Sequence, residues 1–301
     1  MTSGTVSGTQ VIQTGAAPSR GRRVLYILRQ LYAKPASAIG ASIFILFVFL
    51  AIFGPMIAPY GLNQQIAQDA RQGPSAAHPF GTDTLGRDVF SRVLYGAREI
   101  LVLTGAGTLL AVLAGTFFGL ITGYQGGWVD EGIMRFFDSL LALPALLLAL
   151  LLLGTLGRTE GSVLIVITIV YTPIVARVVR SVVLSVKTKG FVEAARLQGE
   201  SLTWILFREI LLPVLPALTV ESALRFSYAI FLVASLGFLG VGVQPPSPNW
   251  GLMVKEARLA VDQTPWALYF PAAAISIVVI GVNLMADGLK RVLQSPTSEG
   301  I

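Results

Sequence analysis

Few side chains in this 301-residue sequence have the type and spacing that catalysis or metal binding requires. The one histidine, His78, precedes Pro79, and the sequence contains no cysteine, so neither an HExxH pair nor a cysteine-based metal site can form. A Gly-x-Ser-x-Gly nucleophile elbow does not occur either. We therefore predict no catalytic residue and no metal ligand in this chain, which argues against an enzyme.

One segment imitates a nucleotide-binding loop. Residues 81–88 read GTDTLGRD, which has the glycine spacing of a phosphate-binding loop. Arg87 and Asp88 stand where such a loop carries the lysine and the serine or threonine that hold phosphate and magnesium, and an aspartate there repels phosphate. We expect that the chain binds no nucleotide by itself and has no cofactor of its own.

Glu221 and Arg225 are four residues apart in an otherwise apolar stretch, so they lie on one face of a helix and can neutralise each other. They could line a pathway. The interpretation we favour at this point is a structural ion pair near the cytoplasmic interface, because both residues lie close to a predicted loop.

The composition predicts that the side chains discussed above are carried by membrane-spanning helices and their loops. Hydrophobic residues make up 54% of the sequence and charged residues 13%, about half the charged share of an ordinary soluble domain. The net charge of +6 could indicate a nucleic-acid partner, but the basic residues flank apolar runs instead of clustering on a soluble surface. A lipid bilayer is therefore the expected surrounding, and no nucleic acid is expected.

Six charge-free stretches predict an all-α polytopic membrane protein, because a helix needs about 20 apolar residues to cross the hydrocarbon layer. The fourth stretch is short and has to extend past Arg177. The stretches are residues 39–58, a part of 100–129, 139–157, 161–176, a part of 226–254, and 263–286.

Lysines and arginines set the expected orientation and domain limits. Most of the 22 basic residues lie in alternate connecting segments, and the positive-inside rule then places both termini in the cytoplasm. No cleavable signal peptide is apparent. We predict a cytoplasmic tail and basic interfacial helix (1–37), a transmembrane domain (38–293) with an outer loop (59–98) and a cytoplasmic loop (187–216), and a C-terminal tail (294–301).

The second span carries small residues at every fourth position, namely Ala111, Gly115, Gly119 and Gly123. This spacing lets two helix backbones approach closely in a membrane. We favour packing of helices within this subunit, although a groove for a partner chain has the same spacing.

The cytoplasmic loop carries the start and stop signals of two consecutive helices, which predict a helix-turn-helix. Residues 191–198 form a good helix, Gly199 ends it, Ser201 is a suitable N-cap, and a second helix runs over 202–212 until Pro213 ends it. Such an element can act as a rigid lever. The apolar side chains of Trp204, Leu206 and Phe207 could enter a cleft in a cytoplasmic partner.

Two outer segments carry further expectations. Residues 84–98 have an apolar face under a charged one, so we expect them to lie along the outer interface, with Asp83, Arg87 and Asp88 facing water. Residues 240–251 contain Pro245 and Pro246, which fix a stiff turn. Trp250 in that turn is either an interfacial anchor or a component of a gate at the outer mouth.

Four segments together resemble the permeases of ATP-binding-cassette (ABC) importers. Glu193, Ala194, Ala195 and Gly199, followed by Ile210-x-Leu-Pro213, are similar to the EAA loop of these permeases, except that Ile210-x-Leu-Pro213 comes a single residue later than usual. The other segments resemble the C-type permease of the peptide and nickel branch. They are HPFGTDTLGRDVFSRVLYGAR (78–98), GYQGGWVD (123–130) and SLGFLGVGVQPPSPNWGLM (235–253).

The resemblance implies a type I ABC importer permease fold in a bacterial or archaeal cytoplasmic membrane. It implies a second related permease, two ATPase subunits that carry ATP and Mg²⁺, and an extracytoplasmic substrate-binding protein. The substrate would be a di- or oligopeptide, with nickel chelates and sugar oligomers still open. The implied ATPase-coupling residues are Glu193, Ala194, Ala195, Gly199, Ser201, Trp204, Phe207, Ile210 and Pro213, and the implied gate residues are Asp83, Arg87, Asp88, Pro245, Pro246 and Trp250.

The alternative from another class is a secondary transporter driven by an ion gradient. That class predicts charged residues at the membrane midplane or inverted repeats, and we find neither in the sequence. A secondary transporter also has no function for the helix-turn-helix of residues 189–216.

Overall fold

The computed structural model describes residues 29–293, which form helices and loops and contain no β-sheet. The expectations for residues 1–28 and 294–301 lie outside this range. We number the helices α1 (Pro35–Ile57), α2 (Val89–Gln125), α3 (Gly127–Leu141), α4 (Ala145–Leu156), α5 (Glu160–Val186), α6 (Gly190–Leu197), α7 (Leu202–Leu239), α8 (Trp250–Ala257) and α9 (Pro265–Leu293).

Five of these helices, α1, α2, α5, α7 and α9, are long and apolar enough to cross a membrane. The bent pair α3 and α4 can supply a sixth crossing, so the all-α fold with up to six spans is confirmed for the described residues. The fourth predicted span does extend past Arg177, since α5 runs to Val186.

The span predicted over residues 139–157 is broken into two helices. The chain bends by 92° between α3 and α4, where Pro144 stands at the N-cap of α4. A proline disfavours helical geometry at the preceding residue, so the break falls at Leu143. The 12 residues of α4 extend about 18 Å, which is less than the hydrocarbon thickness of about 30 Å.

The glycine seam of α2 packs on α5 within this chain. A Cβ atom added to Gly115, Gly119 or Gly123 would come within 2.5 to 2.7 Å of a valine Cβ on α5, so only glycine allows this approach. The valines in contact are Val175, Val179 and Val183. Gly107, which continues the same four-residue spacing, packs against Ile167 and was overlooked in the sequence.

The bundle has two ends, which we name by the short helices that lie there. The α6 end holds residues 187–211, and the α8 end holds residues 58–88 and 240–264. Between them the buried side chains form one large hydrophobic cluster, which includes Trp250, and a smaller one near the α6 end, which includes Val192 and Ile210.

Candidate functional sites at the two ends of the bundle

The helix-turn-helix at the α6 end follows the local sequence signals. Helix α6 ends at Leu197, and Gly199 has a φ of +78°, a backbone conformation that glycine adopts without a steric penalty. The Ser201 hydroxyl accepts a hydrogen bond from the Trp204 backbone N–H at 3.2 Å and so caps α7.

The predicted helix end at Pro213 is wrong, because α7 continues through Pro213 and Pro216 to Leu239. Residues Ile205–Ile210 form a π-helical turn, in which the Leu211 N–H donates to the Leu206 carbonyl five residues earlier. A wider turn of this kind rearranges the backbone bonds just before a proline, which has no N–H to donate. The coupling segment and the fifth span are therefore one continuous helix.

The π-helical turn also explains the unusual spacing of the motif. It takes up one more residue than an α-helical turn. The segment Ile210-x-Leu-Pro follows Gly199 one residue later than in the family that the sequence resembles, and the turn lies between these two points. The extra residue is accommodated without a break in α7.

The structure divides the coupling residues named from the sequence into two groups. Glu193, Ala194, Gly199, Ser201, Phe207 and Pro213 are exposed, and Trp204 is half-buried. Ala195 and Ile210 instead lie in the smaller hydrophobic cluster, and so does Leu206, which is 7% exposed and cannot enter a partner's cleft. The buried residues hold the helix-turn-helix in place.

Sequence reasoning missed several apolar side chains that are exposed at this end. Leu197 is 85% exposed, and Phe191 and Leu202 are also exposed. For α6 the signal was available, because Phe191 and Leu197 alternate with Val192 and Ala195, which are buried. With Phe207 they form a patch that we call the apolar α6 patch.

Polar contacts attach α6 and the adjoining end of α5 to the rest of the bundle. The Arg196 Nε donates to the Tyr124 hydroxyl at 3.0 Å, and its guanidinium lies 4.8 Å from the centre of that ring. The Lys187 Nζ donates to the Gly123 carbonyl at 2.8 Å. Arg180 on α5 binds both carboxylate oxygens of Asp130 on α3 at 2.6 Å. A displacement of α6 would thus be felt at the end of α2.

At the α8 end, the segment that imitates a phosphate loop is a self-neutralised structural loop. Arg87 lies 2.5 Å from an Asp83 carboxylate oxygen through Nε and 2.6 Å from Glu256 through Nη2. The other Asp83 oxygen accepts from the Leu85 and Arg87 backbone N–H groups, each at 2.9 Å. The Arg87 Nε and the backbone N–H groups of Leu85 and Arg87 therefore already bond within the loop and are not free to bind a phosphate.

His78 is held between two carboxylates beneath the same loop. Its Nδ1 lies 2.9 Å from Asp88 and its Nε2 lies 3.4 Å from Asp69, and the ring stacks on Tyr60 at 4.8 Å. The second Asp88 oxygen accepts from the Ser91 N–H at 2.7 Å and caps α2. His78 and Asp88 are both almost completely buried.

The expectation that residues 84–98 lie along the outer interface is wrong. From Val89 onward they are the first turns of α2, and Val89, Arg92 and Val93 are buried in protein. Because Arg92 is covered by the loop that contains Ser247, its charge does not mark a water-facing side. Only the tertiary fold reveals this.

The proline-containing turn is fixed on α2. The Ser247 hydroxyl lies 2.5 Å from a Glu99 oxygen, and the Ser247 carbonyl accepts from Arg92 at 3.3 Å. Trp250 is 0% exposed, and its Nε1–H donates to the Val93 carbonyl at 3.1 Å. The interpretation of Trp250 as an interfacial anchor is therefore wrong, since the indole is inside the protein.

Glu221 and Arg225 form the ion pair expected from their spacing, with 2.7 Å between Arg225 Nε and Glu221 Oε1. Their predicted position near a loop is wrong, because α7 does not stop at Pro213 and the pair lies in the middle of this helix. Arg225 lies 5.9 Å from the centre of the Tyr171 ring and 4.8 Å from that of Tyr228.

Comparisons with known proteins agree with this architecture. Residues 115–298 match the family described as binding-protein-dependent transport system inner membrane component, and residues 25–74 match the N-terminal TM domain of oligopeptide transport permease C. The dipeptide transport system permease protein DppC of Alkalihalophilus pseudofirmus is 40% identical over 88% of this chain and 87% of its own length.

Two further relatives extend the comparison. The glutathione transport system permease protein GsiD of Pectobacterium atrosepticum is 38% identical over 85% of this chain and 86% of its own length. The di/tripeptide transport system permease protein DppC of Pseudomonas aeruginosa is 36% identical over 88% of this chain and 89% of its own length.

Proposed function

The chain belongs to the family of inner membrane components of binding-protein-dependent transport systems, and from this premise we propose that it forms half of the translocation path of an ATP-driven importer of short peptides. The similar permeases are named for dipeptides, di- and tripeptides and glutathione, which supports a peptide substrate over a nickel chelate or a sugar. This permease is a non-catalytic subunit, and ATP hydrolysis belongs to separate subunits.

The complete importer would contain a second related permease, two ATPase subunits with ATP and Mg²⁺, and an extracytoplasmic binding protein. It would lie in a bacterial or archaeal cytoplasmic membrane with the α6 end in the cytoplasm. The excess of basic residues in the predicted inner segments supports this orientation.

The observation that carries the proposal is the apolar α6 patch on a helix-turn-helix that is fixed from behind. Several exposed leucine and phenylalanine side chains on one short segment are typical of a protein interface. Behind the patch, Val192, Ala195 and Ile210 pack in the core. An ATPase subunit that binds the patch would therefore move the helix-turn-helix as a rigid element.

Movement of α6 would reach the membrane helices by two routes. Helix α7 is continuous from the contact surface into its span. Arg196 of α6 and Lys187, which lies just before α6, contact the end of α2 at Tyr124 and Gly123. Alternating access requires that ATP binding favours one arrangement of these helices over the other. The two routes supply the mechanical connection for that difference.

We expect the opposite end to receive the binding protein on a surface that keeps its shape. Asp83, Arg87 and Asp88 hold the loop that precedes α2, and the turn with Pro245 and Pro246 is attached to α2 through Ser247. We propose that this turn contributes to the outer gate.

Two substitutions test the docking proposal in the assembled importer. Gly199→Pro is incompatible with the φ of +78° at the turn between α6 and α7, because proline fixes φ near about −65°. Glu193→Arg reverses an exposed charge on α6. Either change should lower ATP-dependent uptake in proteoliposomes by about tenfold and leave the basal ATP hydrolysis of the ATPase subunits in place.

Glu131→Arg is the matched control, because Glu131 is an exposed carboxylate on α3 outside the helix-turn-helix. Normal stimulated hydrolysis and uptake in both test variants would contradict the docking proposal. Uptake that needs an ion gradient and no ATP would instead indicate the secondary transporter.

A further inference from the structure

The ion pair of Glu221 and Arg225 lies deep within the apolar region of the bundle. At a rise of about 1.5 Å per residue, Glu221 is about 27 Å from either end of α7. Tyr171, which lies beside Arg225, is about 16 Å from the start of α5 and about 22 Å from its end. The pair therefore lies in the middle part of both helices, away from the loops at their ends.

The pair is mostly enclosed but open on one side. The Arg225 and Glu221 side chains are 14% and 11% exposed, whereas Tyr228, one turn further along the same face, is 49% exposed. The guanidinium lies between the rings of Tyr171 and Tyr228. Tyr171 is buried, so the uncovered part of this site is the Tyr228 phenol beside the ion pair, and in the assembled importer it should face the partner permease or the path.

The contact between the two charges is incomplete. Arg225 Nε and Glu221 Oε1 are fully buried and close, yet their alignment is not that of a hydrogen bond, and neither atom has another hydrogen-bond partner among the described residues. Electrostatic attraction therefore holds the pair together at these atoms while their hydrogen-bonding capacity remains unused. A ligand with one positive and one negative group could take up that capacity.

We propose that Glu221 and Arg225 recognise the two charged termini of a short peptide as it passes through the membrane. This inference rests on the proposed function. Arg225 would bind the terminal carboxylate and Glu221 the terminal ammonium, with Tyr228 at the entry to the pair. Side chains four residues apart on a helix are about 5–6 Å apart at Cβ, and two extended peptide residues span at most about 7 Å, so the two charged groups, which lie 2.7 Å apart in the pair, would separate to receive one terminus each.

The paired state and the bound state are electrically equivalent. Without substrate the two side chains neutralise each other, so no isolated charge is buried in the bundle. A zwitterionic peptide exchanges this one internal pair for two pairs with its termini. A lone inorganic ion satisfies only one of the two residues and leaves the other unpaired, which disfavours its binding.

The test is a charge exchange, Glu221→Arg together with Arg225→Glu, in the complete importer in proteoliposomes with its binding protein and radiolabelled dialanine. The exchange keeps an ion pair at the same spacing, so a merely structural pair should tolerate it. It reverses the order of charges that the peptide meets. We expect normal assembly, normal basal ATP hydrolysis and uptake lowered by about tenfold or more.

A second double variant, Glu221→Gln with Arg225→Met, removes both charges and should fold even if the exchanged pair does not. It should also lose uptake at normal abundance, whereas Ser222→Ala on the same helix should keep it, since the Ser222 hydroxyl only bonds the Leu218 carbonyl. Uptake equal to the unaltered importer in either double variant would overturn the inference. If the unaltered importer takes up neither dialanine nor trialanine nor glutathione, the proposed peptide function itself is overturned.

Discussion

The two ends of the bundle differ in how far their large side chains are exposed. At the α8 end, Trp250 and Arg92 are at most 1% exposed, and Arg87 is shared between two carboxylates. At the α6 end, Leu197 is 85% exposed and Phe207 53% exposed. The α8 end buries these large and charged side chains within the chain, although Leu259 there is 87% exposed, and the α6 end presents several apolar side chains that a partner can bury.

This difference fits a division of mechanical roles. The α8 end is cross-linked by hydrogen bonds and ion pairs between segments far apart in sequence, such as Trp250 with Val93 and Arg87 with Glu256. The α6 end is joined to the bundle through α7, through the smaller hydrophobic cluster and through two polar contacts on α2. Substitutions at the first end should therefore change stability, and substitutions at the second should change coupling.

The largest expected effect is that of Trp250→Ala. This substitution empties a fully buried site and removes the hydrogen bond to the Val93 carbonyl, so we expect a loss of about 3–5 kcal/mol in the free energy of unfolding. Thermal unfolding of the purified permease in detergent measures it. Trp128→Ala is the control, because Trp128 is 95% exposed. Equal melting temperatures for the two variants would contradict the burial of Trp250 and with it the contrast between the two ends.

A smaller loss is expected in the seam that joins the two ends. In Gly115→Val, the new side chain would collide with Val175 and the Thr172 carbonyl, so α2 and α5 would have to move apart. We expect a destabilisation of about 1–3 kcal/mol. In Gly132→Val the same residue enters open space, and the melting temperature should change little. A larger effect at Gly132 than at Gly115 would show that the seam is not formed as described.

The smallest effect on stability belongs to the apolar α6 patch. Leu197→Ser removes an exposed side chain, so the free energy of unfolding should change by less than about 0.5 kcal/mol. The affinity of the permease for its ATPase subunits should nevertheless fall by about tenfold, measured by titration of labelled ATPase onto permease in nanodiscs. Leu259→Ser, at an equally exposed leucine of the other end, should leave this affinity unchanged.

What the sequence predicted well depends on local interactions. The end of α6, Gly199 in a left-handed conformation and the Ser201 cap all follow from neighbouring residues, and the glycine spacing of α2 indicated the seam with α5. The apolar length of the spans likewise follows from composition.

What the sequence did not predict depends on distant contacts. The burial of Trp250 and Arg92 requires α2 and the turn at Ser247 to meet, which no local pattern records. Pro213 indicated a helix end because the π-helical turn before it could not be foreseen. That one boundary also placed Glu221 and Arg225 close to a loop, whereas they lie in the middle of α7.

The most direct test of the account is cross-linking of the complete importer through single cysteines, since the chain has none of its own. The variants Leu197→Cys and Leu259→Cys are matched, because both leucines are more than 80% exposed and lie at opposite ends. A short amine- and thiol-reactive linker should join the cysteine at position 197 to an ATPase subunit and the cysteine at position 259 to none. Cross-linking of the ATPase at position 259, or its absence at position 197 in an importer that hydrolyses ATP, would contradict the assignment of the α6 end as the ATPase contact.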